Sequence, residues 1–297
     1  MAIATNTLDS ATPSKRWFSP ASLADFSRKH PLGAIGAVII FIMVFSAGFA
    51  EIICVNDPDD WVEDGALAPS WAYPLGTDQY GRDIMSRIIY GARTALTIGF
   101  ISAFIGSFIG LVLGVGSAYF GGNVDLVFQR IMDVFLAFPL IILALAVVAV
   151  LGVGIENTIV AITIPFIPQC ARVVRSNALA LREIPFVDAA RACGFSHSRI
   201  ILRHMVPNVM APFLIMITTF VGQAILLEAS LSYLGLGVQE PIPAWGLMLQ
   251  GGAEEYLEQH PWMAIFPGLA ITLAVFAFNL FGDALRDVLD PKLRSER

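Results

Sequence analysis

Few residues of this chain have the type and spacing that chemistry on a substrate requires. The lysines are Lys15, Lys29 and Lys292, and none of them ends a GxxxxGK[ST] run that would hold nucleotide phosphates. The four histidines form no HExxH pattern, and no GxSxG nucleophile elbow occurs. We therefore predict no catalytic residue, no metal site and no cofactor in this chain, and we disfavour a membrane enzyme.

Glu228 lies within an apolar segment, where a carboxylate is expensive to bury. Such a residue is a candidate for a functional site, and we predict it beside a pathway or gate through the membrane. Two other roles stay open: Glu228 caps a helix, or it pairs with a residue of a partner chain.

The elements that position these residues are strongly apolar. The 297 residues are 56% hydrophobic and 14% charged, with a mean hydropathy of +0.71, whereas a soluble domain carries about 25% charged residues. The three cysteines (Cys54, Cys170 and Cys193) form neither a CxxC pair nor an even set, which predicts neither a disulfide nor a zinc site. The composition predicts an all-α integral membrane protein in a lipid bilayer.

A membrane-spanning helix needs roughly 20 mostly apolar residues. Six segments meet this requirement, at about 33–54, 94–118, 134–152, 158–174, 209–231 and 262–282. In the fourth, Pro165, Pro168 and Gln169 interrupt the apolar run. Because neighbouring helices must satisfy the backbone groups that proline frees, we predict this helix inside the bundle, either facing a pathway or simply packed.

The second segment carries a stripe of small residues, Ser102, Gly106, Gly110 and Gly114, at four-residue spacing. Small residues on one stripe let two helices approach closely. We predict close helix packing there and regard a pore-lining surface as the weaker interpretation.

Basic residues indicate the orientation in the membrane. All but three of the 18 lysines and arginines fall on one side, the exceptions being Arg82, Arg87 and Arg93. By the positive-inside rule both termini are predicted to be cytoplasmic. The predicted divisions are an N-terminal tail (1–32), a first transmembrane helix with an extracytoplasmic loop (33–93), a transmembrane domain (94–285) and a C-terminal tail (286–297).

Two extracytoplasmic stretches carry their own patterns. The run LGTDQYGRDIMSRIIYGARTAL, from Leu75 to Leu96, predicts an amphipathic interfacial helix with Asp78 as its N-cap. A second stretch, about 232–260, is rich in glycine and proline and predicts a structured loop, with Trp245 as a membrane-interface anchor.

The segment 188–207, DAARACGFSHSRIILRHMVP, is polar and contains arginine between apolar segments. Pro185 suits the first turn of a helix, and the charge of Asp188 is favoured near a helix N-terminus. Gly194 permits a turn, and Ser196 is a good N-cap. The segment therefore predicts a short helix, a turn and a second helix that runs toward Pro207.

The 188–207 segment resembles the EAA loop of the membrane subunits of bacterial ATP-binding-cassette (ABC) importers. Three further motifs, GTDQYGRD, YLGLG and GDALRDVLDPKLR, occur in matching order, and together the four resemble the C-type permeases of dipeptide and oligopeptide importers. This chain departs from the EAA pattern where Asp188 replaces glutamate and where His204 and Val206 replace isoleucine and leucine.

The resemblance implies a type I importer permease fold with six transmembrane helices, in which a loop helix docks on a separate ATPase subunit. The residues implied in this coupling are Asp188, Ala189, Ala190, Gly194, Val206 and Pro207.

The resemblance also implies partners in the bacterial cytoplasmic (inner) membrane. They are a sister B-type permease in a heterodimer, ATPase subunits that hold ATP and Mg²⁺, and an extracytoplasmic solute-binding protein; no nucleic acid is implied. Arg82 and Asp83 are candidates for contact with the binding protein, or else an elbow held by local ion pairs and caps. Glu228 is then a candidate contact for the amino terminus of a peptide.

The implied solutes are dipeptides and oligopeptides, while nickel chelates, glutathione and oligosaccharides are the alternatives within the same architecture. A channel and a secondary transporter are the rival classes. A channel needs a filter or pore ring, and none is visible in the sequence. A secondary transporter needs ion-coupling groups, and Glu228 is the single candidate. That class also leaves the EAA-like loop unexplained.

Overall fold

The computed structural model describes residues 26–62, 65–254 and 256–289, with Glu254 described by its backbone alone. These residues form helices and no named strand. Five helices are long and apolar enough to cross a membrane, or six if one sharply bent pair is a single span. The predicted all-α membrane architecture is confirmed. Most of both predicted tails, and the end of the GDALRDVLDPKLR motif, lie outside the described residues.

The first span consists of α1 (Pro31–Gly48) and the short α2 (Ala50–Ile53). Pro31 occupies the first turn, where its missing N–H leaves no helical bond unmade. A Cβ atom on Gly33 would lie 2.1 Å from the Cβ atom of Ala284, so this glycine permits close contact with the last helix of the chain. Most other α1 side chains remain at least partly exposed.

Helix α3 (Ile84–Phe120) is one continuous helix of 37 residues, about 55 Å long at 1.5 Å per residue. Its N-cap is Asp83, whose carboxylate accepts hydrogen bonds from the N–H groups of Met85 and Ser86. The prediction that Asp78 is the N-cap is therefore wrong, and the predicted interfacial helix begins later than expected. Because a bilayer core is about 30 Å thick, α3 reaches beyond it.

The third predicted span, 134–152, is divided between two helices. Helix α4 (Gly122–Leu136) and helix α5 (Leu140–Leu151) meet at an angle of 88°. Pro139 lies at the break, and proline both lacks an N–H donor and disfavours a helical residue before it. The helix therefore breaks at this proline, and the predicted single span is bent.

Helix α6 (Ile155–Arg182) runs through Pro165 and Pro168, and both prolines are buried, as predicted for a helix inside the bundle. It packs along the glycine stripe of α3. A Cβ atom on Gly106 would lie 2.8 Å from that of Phe166, and one on Gly110 would lie 2.6 Å from that of Cys170. The predicted close packing is confirmed.

The remaining helices are α7 (Pro185–Ala192), α8 (His197–Ile200), α9 (Met210–Tyr233), α10 (Trp245–Glu254) and α11 (Trp262–Leu289). A π-helical turn and a 3-10 turn join α8 to α9, so His197–Tyr233 forms one candidate span. Trp245 is not an interface anchor, because it is buried and its Nε1–H donates to the Ile88 carbonyl at 2.9 Å.

Candidate functional site

Helix α7 is a short amphipathic helix at the predicted position. Pro185 stands at its start, and Val187 and Ala190 are buried against the bundle. The Asp188 side chain is 71% exposed, and Ala189 is also exposed. The helix thus exposes Asp188 and Ala189 on its outer face, while Val187 and Ala190 pack against the bundle. Ala190 is therefore an internal packing residue rather than part of an outer docking face.

A Schellman motif ends α7 at Gly194, whose φ angle of +75° lies in the left-handed region. The N–H of Phe195 donates to the Ala190 carbonyl at 3.2 Å, and the N–H of Gly194 donates to the Arg191 carbonyl at 2.9 Å. Glycine adopts this conformation without the steric cost of a Cβ atom. The predicted turn at Gly194 is present.

The second helix of the loop begins after Ser196, as predicted, but the hydroxyl group of Ser196 makes no capping hydrogen bond. Pro207 lies in the 3-10 turn that precedes α9, where a missing N–H donor disturbs the helix least. His204 packs against the rings of Phe195 and Phe186, with centroid distances of 5.9 Å and 6.4 Å. The departure at His204 therefore affects packing within the loop, and Val206 is half-buried beside it.

Tyr119, near the C-terminal end of α3, fixes this loop to the bundle. A 2.7 Å hydrogen bond joins its hydroxyl oxygen to Nδ1 of His197, and the Arg191 guanidinium lies 5.1 Å from its ring centroid. Nearby, Arg182 donates to the Ala118 carbonyl at 3.1 Å. Arg191 also pairs with Asp188 at 3.2 Å. The loop is thus held at both of its helices by the end of α3.

The extracytoplasmic candidates Arg82 and Asp83 lie in a second cluster, on the other side of the molecule. Arg82 is largely buried and pairs with Asp78 at 2.7 Å and with Glu240 at 2.8 Å. Asp83 is buried as the N-cap of α3. In this structure neither side chain is free to bind another protein, and the alternative of an elbow held by ion pairs and caps describes both.

The cluster continues to Arg87, which is completely buried near the start of α3. Its guanidinium contacts Glu240 at 3.1 Å and Asp59 at 3.4 Å. Burial alone would raise the pKa of Glu240, but the hydrogen bond from Arg82 and the charge of Arg87 outweigh it and lower the pKa below its usual range. These contacts fasten the loop after α9 to the loop before α3.

Glu228 is fully buried within α9, so it presents no surface to a solute in this conformation. Its Oε1 atom accepts a hydrogen bond from the hydroxyl of Ser232 at 2.7 Å, and that hydroxyl accepts one from the N–H of Val238 at 3.1 Å. Its Oε2 atom has no partner among the described residues. The geometry favours support of the turn after α9 over contact with a peptide.

The fold and the loop together define an integral-membrane subunit of a type I ABC importer. The structure resembles a chain of the methionine ABC transporter MetNI in an inward-facing conformation. The TM-score is 0.56 at 21% identity, over 70% of this chain and 98% of that chain. A likeness at this identity supports the fold alone.

Residues 106–295 match the model of the binding-protein-dependent transport system inner membrane component family, and the chain belongs to that family. It is 41% identical to the dipeptide transport system permease protein DppC of Alkalihalophilus pseudofirmus, over 90% of this chain and 88% of that protein. It is 42% identical to the glutathione transport system permease protein GsiD of Pectobacterium atrosepticum, over 91% of this chain and 90% of that protein. The chain is thus a permease component of an ABC importer, a class that works with ATPase and solute-binding partners.

Proposed function

We propose that this chain is the C-type permease of a peptide importer, which carries dipeptides and oligopeptides across the bacterial cytoplasmic membrane. The observation that carries the proposal is the loop of α7 and Gly194: a short helix with an exposed outer face, held rigidly to the end of α3. The names of the relatives support the solute class, since several are dipeptide or peptide permeases.

In this proposal α7 docks on a separate ATPase subunit, which holds ATP and Mg²⁺ and performs the hydrolysis. Asp188 and Ala189 form the centre of the contact, because they are the exposed residues in the middle of the helix, between the buried Val187 and Ala190. Gly194, Val206 and Pro207 shape the chain behind it. Since Tyr119 ties the loop to α3, a displacement of α7 by the ATPase is transmitted directly to a membrane helix.

The other half of the pathway comes from a sister B-type permease in a heterodimer. Pathways of this kind commonly form between paired repeats, and one chain with five or six spans supplies one repeat. Both termini are cytoplasmic, in agreement with the positive-inside rule. This orientation also places Asp59 and Glu255 outside, although Glu255 lies outside the described residues.

Reconstitution tests the proposal. The chain purified alone is expected to hydrolyse no ATP. With its sister permease and ATPase subunits in proteoliposomes, it is expected to take up a labelled dipeptide when binding protein and ATP are present. Specific hydrolysis by the chain alone, abolished by a mutation in it, would refute the division of labour, and absence of peptide uptake by the full assembly would refute the solute class.

Glutathione is the second candidate solute, because permeases for glutathione are 42–43% identical to this chain over 91% of its length. Competition decides between the two. Unlabelled dipeptides and glutathione are each added in excess, and the better inhibitor of uptake identifies the solute class.

A further inference from the structure

Three side-chain amides lie near the middle of three adjacent membrane helices. Gln169 is central in α6, Gln223 is central in α9, and Asn279 is within about 6 Å of the centre of α11 at 1.5 Å per residue. Gln223 and Asn279 are exposed on the surface of this chain, and Gln169 is half-buried.

Packing leaves one face of α9 open between α6 and α11. Towards α3, Val221 and Ile225 lie beside Gly99. Towards α6, Phe220 stacks on Phe166 with a centroid distance of 4.3 Å. Towards α11, Gly222 lies beside Phe278. The side of α9 between α6 and α11, which carries Gln223, remains exposed.

The open face of α9 contains Thr219, Gln223, Leu226 and Ser230, which share one side of the helix by their spacing. Each of the four is half-buried or exposed. A polar amide thus occupies the central position of a surface that the rest of this chain leaves uncovered.

The other two amides flank this face. Gln169 lies one helical turn from Phe166, on the helix that contacts Phe220. The Oδ1 atom of Asn279 lies 3.6 Å from where a Cβ atom of Gly222 would be, so it adjoins the residue before Gln223. Three neighbouring helices therefore carry one amide each, with Asn279 beside Gln223 on α9 and Gln169 one turn from the contact between α6 and α9.

Within the described ranges, the amide groups of Gln169, Gln223 and Asn279 make no side-chain hydrogen bond, unlike the amides of Asn157, Asn177 and Asn208 near helix ends. An unpaired polar group in hydrocarbon costs several kcal/mol. A surface with three such groups at mid-membrane depth is therefore unfavourable in contact with lipid.

We propose that Gln169, Gln223 and Asn279 line the solute pathway and hydrogen-bond the backbone of the transported peptide. A side-chain amide offers two donors and an accepting oxygen, which match the C=O and N–H groups that every peptide has. Because the amides are uncharged, they bind peptides irrespective of side-chain charge. This inference rests on the proposed function, since it assumes a peptide solute.

The first test measures uptake in proteoliposomes that contain all partner subunits. The triple variant Gln169→Leu, Gln223→Leu and Asn279→Leu keeps similar side-chain volumes and removes the hydrogen bonds. We expect a higher KM for peptide uptake, by roughly fivefold for each hydrogen bond lost, with unchanged assembly and basal ATP hydrolysis. Gln250→Leu, outside the spans on α10, is the matched control, and Gln223→Asn is expected to keep most of the affinity.

The second test uses accessibility in a chain whose native cysteines are replaced. A cysteine at position 223 is expected to react with a small, charged thiol reagent from water and to be protected by peptide. A cysteine at Phe41, which is 67% exposed on α1, serves as the lipid-facing comparison.

Three results would overturn the inference. The first is uptake by the triple variant equal to that of the wild type, and the second is thiol reactivity at position 223 as low as at position 41. The third is loss of the sister permease when the triple variant is purified. The last would assign the amides to the subunit interface. Failure of the wild-type assembly to transport any peptide would instead refute the proposed function.

Discussion

Gly194 gives the sharpest test of the coupling loop, because its substitution perturbs only the backbone. Its φ angle is +75°, and a Cβ atom added there would meet no atom within 4 Å. A steric clash with neighbours therefore contributes nothing. The expected penalty is that of a left-handed conformation for a residue with a Cβ atom, about 1–2 kcal/mol, and larger for the β-branched Gly194→Val.

This penalty acts on the turn rather than on the whole fold. Each 1.4 kcal/mol changes the ratio of two populations tenfold, so a penalty of about 1–2 kcal/mol makes the docking-competent turn roughly 5- to 30-fold less populated. We therefore expect Gly194→Val and Gly194→Asp to insert normally and to lose most peptide uptake. Gly194→Asn is the matched control, because asparagine tolerates the left-handed region better than most residues.

The assay compares uptake, co-purified ATPase subunits and the Tm of each variant. The reasoning is supported if all three variants keep the wild-type Tm while uptake falls from Gly194→Asn to Gly194→Asp and is lowest for Gly194→Val. Equal uptake by Gly194→Val and the wild type, with the ATPase subunits fully retained, would show that this turn is not required for coupling.

Three further predictions concern other parts of the chain. Ala189→Trp is expected to abolish association with the ATPase while preserving the Tm of the protein. Ala190→Trp is expected to lower the Tm because Ala190 is buried. Similar Tm values for the two variants would contradict the assignment of Ala189 to the outer face and Ala190 to the inner face of α7. An impermeant thiol reagent applied to intact spheroplasts is expected to label a cysteine at Asp59 and to leave Cys193 unlabelled, and the reverse pattern would refute the topology. Because the pKa of Glu240 is lowered, its ion pairs stabilise the fold at and above the usual carboxylate range and weaken only as the pH falls below about 4.3. The Tm difference between the wild type and Glu240→Gln is therefore expected to be constant from pH 8 to pH 6. A change in that difference within this range would contradict the prediction.

The structure of the 188–207 loop was predictable because local chemistry determines most of it. Pro185 starts the helix, Gly194 takes the left-handed turn, and both effects depend on the residue itself and its immediate neighbours. Which alanine faces the bundle depends on how the helix is rotated against α3. The sequence therefore predicted the loop correctly but not the burial of Ala190.

The extracytoplasmic cluster shows the opposite case. Arg82 and Arg87 both lie in the patterned run from Leu75 to Leu96, but their shared partner Glu240 lies more than 150 residues away. No local pattern indicates that pairing, because it depends on the loop after α9 folding back over α3. The break at Pro139 had a local signal, yet the apolar run across it favoured a single span.

Helix α3 connects the loop cluster at Tyr119 with the ion-pair cluster at Arg87. Tyr119 near its C-terminal end contacts both helices of the 188–207 loop, and Arg87 near its N-terminal end contacts Asp59 and Glu240. Along the middle, the glycine stripe brings α3 so close to α6 that no side chain fits between them. If α7 docks on an ATPase subunit, as we propose, we expect its movement to reach α3 through the Tyr119–His197 bond. The Arg87–Glu240 pair would then carry that movement from α3 to the loop after α9.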